Sequence, residues 1–92
     1  MNLKVYIDEV PCSWSENGLS LADDWEIDGK SIENEVLYFD NNGSWELWDI
    51  DSPKDADGMW SSRDWGEEGG LAAAFEALLR EYEGRVHLEV AR

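Results

Sequence analysis

The 92-residue chain has a single cysteine, a single histidine, two prolines and only seven lysines and arginines. Each shortage closes off a class of function. Cys12 alone forms neither an internal disulfide nor a thiolate metal cluster. His87 falls in an alternating apolar stretch with no serine or cysteine nucleophile in a recognisable motif around it. It reads as structural or simply exposed, and no enzyme is expected. No apolar run approaches the ~20 residues that cross a bilayer, and residues 1–10 lack a basic segment leading into an apolar one. A cytoplasmic chain without membrane contact is therefore expected. The scarcity of cations also argues against direct binding of nucleic acid or anionic lipid, both of which the chain would repel.

What the chain has instead is acid. Its 22 aspartates and glutamates leave a net charge of −15. Residues 23–68 hold fifteen of those carboxylates against Lys30, Lys54 and Arg63, so this half carries −12. Such self-repulsion opposes compaction and demands a strong core. Six tryptophans, three tyrosines and two phenylalanines are available to build one. Each buried aromatic removes roughly 150–250 Å² from water, and this enrichment separates the chain from disordered acidic segments. The length suits one domain, residues 1–92.

Leu3, Val5 and Ile7 alternate with Lys4, Tyr6 and Asp8 as a strand that Pro11 ends. Residues 12–18 read as a loop, and residues 19–27 as a strand closed by the turn pair Asp28-Gly29. Residues 35–40 and 44–50 flank Asn41-Asn42-Gly43, where asparagine and glycine tolerate the positive φ of a hairpin turn. Both arms are apolar on both faces, which predicts a cover for the second face. Met59, Trp60 and Trp65, within the polar stretch 51–70, are the candidates to supply it. Leu71, Phe75, Leu78, Leu79 and Tyr82 then fall at helical spacing. Glu67 and Glu68 suit the positive helix start, Glu76 and Arg80 make an i,i+4 pair, and Gly84 suits the position past the end. Val86, Leu88 and Val90 alternate as a last strand. The whole predicts an α+β fold, a small antiparallel sheet of four to five strands with one amphipathic helix packed on it.

Asp55-Ala56-Asp57-Gly58 matches the middle of a calcium loop. That alignment puts Pro53 where the first carboxylate belongs and Asp64 where a glutamate should close the loop, so no metal or cofactor is assigned. A glycosidase pair of carboxylates needs a cleft that leaves little room for a core in a chain this size. Cys12 reads as a buried or idle thiol. Most tryptophans belong in the core, but Trp14, Trp60 and Trp65 each lie among Ser, Asp and Gly. An exposed tryptophan in a charged rim is the make-up of an interface hot spot, and it also suits stacking on a sugar ring.

The net charge exceeds the magnitude of about 2–8 that solubility asks of a small domain, so a surface for a cationic partner is expected. Carboxylates at i and i+2 of a strand lie ~6.6–6.8 Å apart, about twice the axial phosphate spacing along one strand of a duplex. An acidic strand face can thus imitate a short patch of nucleic-acid backbone. The candidate partner-binding residues are Asp23, Asp24, Glu26, Asp28, Asp49, Asp51, Asp55, Asp57, Asp64, Glu67 and Glu68, with Trp60 and Trp65 as apolar anchors.

Small size, extreme acidity, abundant aromatics, a lone cysteine and no catalytic motif together resemble the small phage anti-CRISPR and anti-restriction proteins that mimic nucleic acid. The likeness is one of composition over the whole chain, with no shared motif. It implies a stoichiometric, non-enzymatic inhibitor of a bacterial defence protein, docked on that protein's basic nucleic-acid-binding surface. Immunity proteins that neutralise a cognate toxin nuclease share the composition. From a different class, a small sugar- or calcium-binding module would use the loop tryptophans and aspartates.

Overall fold

Alternation in the first strand sorts its side chains as expected. In β1 (Asn2–Ile7) Val5 and Ile7 are buried while Lys4 is exposed. The structure, a computed structural model, describes residues 2–22, 25–27, 30–32, 34–56 and 58–91. After β1 the chain turns in two residues, Asp8 and Glu9, both at positive φ (52° and 68°), and returns as β2 (Val10–Ser15). Hairpins of this kind usually carry Asn-Gly. Side-chain-bearing residues hold such a conformation at a cost of order 1 kcal/mol each. Pro11 lies inside β2 rather than ending β1. It has no N–H to donate, and the β1–β2 ladder stops after two pairs, Ile7 with Val10 and Tyr6 with Pro11. Beyond that point β2 pairs with β3 (Gly18–Leu21), and the Trp14 indole donates to the Leu3 carbonyl at 3.1 Å. Residues 12–15, expected in a loop, are strand for this reason.

The remaining elements are β4 (Trp25–Ile27), β5 (Lys30–Ile32), β6 (Glu35–Phe39), β7 (Trp45–Asp49), β8 (Ser61–Gly66), α1 (Gly70–Glu81) and β9 (Val86–Ala91). Among the described residues seven strands form one antiparallel sheet in the order β8-β7-β6-β3-β2-β1-β9, and β4 and β5 form a separate hairpin. The α+β class holds, but the sheet is larger than the four to five strands expected. The surplus is β2 and β8, neither of which alternates cleanly. β8 reads Ser-Ser-Arg-Asp-Trp-Gly and is a strand because β7 pairs with it, across a bulge that leaves Arg63 as the extra residue. A second bulge between β3 and β6 makes Val36 the extra residue. Val36 is then buried together with Leu37.

Leu19, Leu37 and Leu47 are cross-strand partners on β3, β6 and β7, and all three are fully buried. Burial of each contributes about 1.5–3 kcal/mol. The helix lies over β6, β7 and β8, but its buried stripe is Ala74, Ala77, Leu78 and the capping Tyr82. Leu71 and Leu79, expected on that stripe, are exposed. Alanines bring a helix close to a sheet, and large residues draw the eye to a stripe rotated away from it. The first turn holds no acidic residue, because Glu67 and Glu68 precede the helix, and Arg80 pairs with Asp64 on β8 at 2.9 Å. Trp60 packs against this same core, while Met59 and Trp65 are exposed, so neither of those two covers the second sheet face. No helix among the described residues is long and apolar enough to cross a membrane.

Arg85, between α1 and β9, ties the strained turn down. Its guanidinium donates to both Asp8 oxygens (2.9 and 2.6 Å) and both Asp51 oxygens (2.7 and 2.9 Å). These hydrogen bonds hold the carboxyls of Asp8 and Asp51 below the usual carboxylate range. A carboxyl whose pKa is depressed by folding stabilises the fold above its unfolded pKa, and that stability disappears as pH falls through the folded value. Replacing Arg85 with methionine is therefore expected to cost about 1–2 kcal/mol at pH 7, discounted for the solvent exposure of both carboxylates. The gap between wild type and variant should close between about pH 5 and pH 2 in urea titrations. A gap that persists at pH 2 would show the arginine acting through packing on Tyr82 rather than through the carboxylates.

Candidate partner-binding surface

The loop between β6 and β7 is built by Asp40, whose Oδ1 accepts the N–H groups of Asn42 (2.9 Å) and Ser44 (3.1 Å), and by Gly43 at φ 94°. That five-residue loop sets Phe39 opposite Trp45 and Tyr38 opposite Glu46. On the next strand Trp65 lies opposite Glu46. Tyr38, Glu46 and Trp65 thus form a row across three strands on one sheet face, and Trp65 is 64% exposed. Trp45 points to the opposite face and lies against Gly66, where any Cβ would collide with its indole. The Trp45 indole donates to the Glu68 carbonyl at 3.1 Å. This bond fixes the segment that carries Glu67 and Glu68, both exposed. A shallow depression of about 270 Å³ joins Tyr38, Trp45, Trp65 and Glu67.

The predicted acids fall into distinct groups. Asp23, Asp24, Asp28 and Asp57 lie outside the described residues, and Glu26 enters only as a backbone position of β4 opposite Ser31. Three others are held by the protein's own arginines: Asp49 by Arg63 (3.6 Å), Asp51 by Arg85 (2.7 Å) and Asp64 by Arg80 (2.9 Å). Asp55 accepts the Met59 N–H at 3.0 Å and serves a local turn. No ion pair among the described residues involves Glu46, Glu67 or Glu68. Of the two predicted anchors, Trp65 stands free of the core. Trp60 is half-buried with Lys54 Nζ 4.1 Å above its ring, and burial lowers the Lys54 pKa.

Sequence reasoning missed Tyr38, Trp45 and Glu46 as parts of this surface. The length of the hairpin loop was the signal that places them. Elsewhere, partial burial pushes the Cys12 thiol up to about 11, which leaves it protonated and a poor nucleophile at neutral pH. His87 is exposed, 3.2 Å from Glu89 and edge-on to Tyr6. No group of three or more His, Cys, Asp or Glu among the described residues is arranged to hold a metal ion. No protein-family model, curated protein or solved structure matches the chain.

Proposed function

We propose that the protein is a non-enzymatic inhibitor that binds the basic, nucleic-acid-binding surface of a bacterial defence protein, of the anti-CRISPR or anti-restriction type. The observation that carries this reading is Trp65, 64% exposed beside Glu46 and near Glu67 and Glu68, which form no ion pair among the described residues, on a protein of net charge −15. An exposed indole gives an anchor, and the carboxylates around it match lysines and arginines that normally meet phosphate. With Asp49, Asp51 and Asp64 tied to internal arginines, the contact centres on the β8 edge. A toxin nuclease with a basic cleft offers the same chemistry, which keeps the immunity-protein reading within this proposal.

The test uses the whole protein, immobilised in bacterial lysate, with bound material eluted by salt and competed by DNA or RNA. A single nuclease or defence effector displaced by its own nucleic acid is the expected result. Binding should weaken steeply with salt, as contacts to phosphate do. The double variant Glu67→Lys/Glu68→Lys should lose that partner while its thermal melt is unchanged, and full retention by the variant would sink the assignment. A sugar-binding module is the second reading, favoured by the depression between Tyr38 and Trp65. It predicts a raised melting temperature with added oligosaccharide.

A further inference from the structure

The two edges of the sheet are unlike. β8 is interrupted by a bulge at Arg63, a charged residue followed by the charged Asp64, the kind of device that discourages edge-to-edge pairing. β9 has none. It is six residues long, pairs with β1 without a break, and places Val86, Leu88 and Val90 on one face. Leu88 is 40% and Val90 56% exposed, because the helix lies over β6, β7 and β8 and the buried core reaches only as far as Val5 and Ile7 on β1. Lys4 and Glu89, cross-strand partners, are the only Asp, Glu, Lys or Arg residues in β1 and β9. The strand pair at this edge is therefore net neutral in a protein of charge −15.

The ladder also tells which backbone groups are free. The Asp8 N–H bonds the Arg85 carbonyl at 2.9 Å, in register with the Ile7–Val86 pair. Hydrogen-bonded and non-hydrogen-bonded pairs alternate along an antiparallel ladder. His87 and Glu89 therefore point their N–H and C=O groups inward to β1, and Val86, Leu88 and Val90 point theirs outward. A second copy placed antiparallel about Leu88 meets these outward groups with identical ones. Leu88 then pairs with Leu88, and Val86 of each copy with Val90 of the other. In the same register His87 of one copy lies opposite Glu89 of the other, twice, at the closer non-hydrogen-bonded positions. A two-fold contact requires such self-complementarity.

We propose that β9 is the edge of a homodimer in which two sheets join as one through antiparallel β9–β9 pairing centred on Leu88. This inference does not depend on the proposed function, and it has the opposite salt response. The acidic bodies of the two copies repel, so salt strengthens the dimer while it weakens binding to a cationic partner. The experiment is sedimentation velocity with the full chain at concentrations up to about 0.5 mM, in low salt and in about 1 M NaCl, where screening acts within ~3 Å. A doubled mass that becomes more populated in high salt is expected. His87→Glu sets two like-charged pairs across the two-fold axis and should weaken the dimer by about tenfold, whereas His87→Lys should preserve or tighten it. His87 is exposed, so both variants should fold, and a circular-dichroism melt verifies that. A monomer at every concentration and salt overturns the proposal. A dimer that responds equally to both variants overturns it too.

Discussion

Replacing Trp65 with alanine is expected to weaken partner binding by about 30-fold or more, the effect of losing one hot spot of at least 2 kcal/mol. The same change should leave stability within about 0.5 kcal/mol of wild type, since a side chain 64% exposed contributes little to the core. Titration calorimetry against the captured partner, beside urea denaturation, separates the two quantities. Trp60→Ala is the matched comparison. Its ring packs on the core under Lys54, so it should lower the urea midpoint and leave affinity nearly unchanged. If Trp60 controls affinity and Trp65 does not, the binding surface lies elsewhere than on the β8 edge.

Tyr82→Ala is expected to cost about 3–5 kcal/mol, close to the whole stability of a domain whose total lies at the low end of ~5–15 kcal/mol. Tyr82 follows the helix and is fully buried. Its hydroxyl donates to the Trp48 carbonyl and accepts the Ile50 N–H at 3.2 Å, so it pins the end of β7 under the helix terminus. Arg63 and Arg85 lie over its ring at 5.5 and 5.2 Å. Tyr82→Phe retains the ring and loses only the hydroxyl, at a cost of about 1–2 kcal/mol from the unmet partners. Burial pushes the Tyr82 phenol above its ordinary value. The fold therefore opposes its ionisation, and this stability is present below about pH 10 and lost as pH rises beyond it. Urea titrations from pH 8 to pH 11 check the sign. The phenylalanine variant should show a shallower alkaline decline, and an identical decline in both proteins would place the sensitive group elsewhere.

The local signals in the sequence led to the right elements wherever a strand or helix depends on its own residues. The alternation of β1 and β9, the hairpin around Asn41-Asn42-Gly43 and the helix all follow from spacing and turn chemistry. β8 did not, because Ser-Ser-Arg-Asp-Trp-Gly has no strand pattern of its own and depends on the register that β7 imposes. The helix face was misjudged because Ala74 and Ala77 touch the sheet while Leu71 and Leu79 do not. Charge was the most deceptive feature. Asp8, Asp49, Asp51 and Asp64 look alike in sequence, yet each meets an arginine at least 14 positions away in the chain. Such pairings are products of topology, so an acidic sequence overstates the acid offered to a partner. Trp65 was visible from its neighbours, but its companions Tyr38 and Glu46 are set by cross-strand register alone.

The neighbourhood of β1 and β9 also governs how the molecule assembles. Ile7 and Val86 sit side by side although 78 residues separate them in the chain. Bringing them together closes a very long loop, whose entropy is lost before the six-pair ladder forms. Local hairpins such as β6–β7 close short loops and form first on this account. A sheet completed through such distant partners belongs to the slow, high-contact-order regime of milliseconds to seconds. Until that closure, β1 is a bare apolar edge, and the folding chain is most open to pairing with other chains just before its two ends meet.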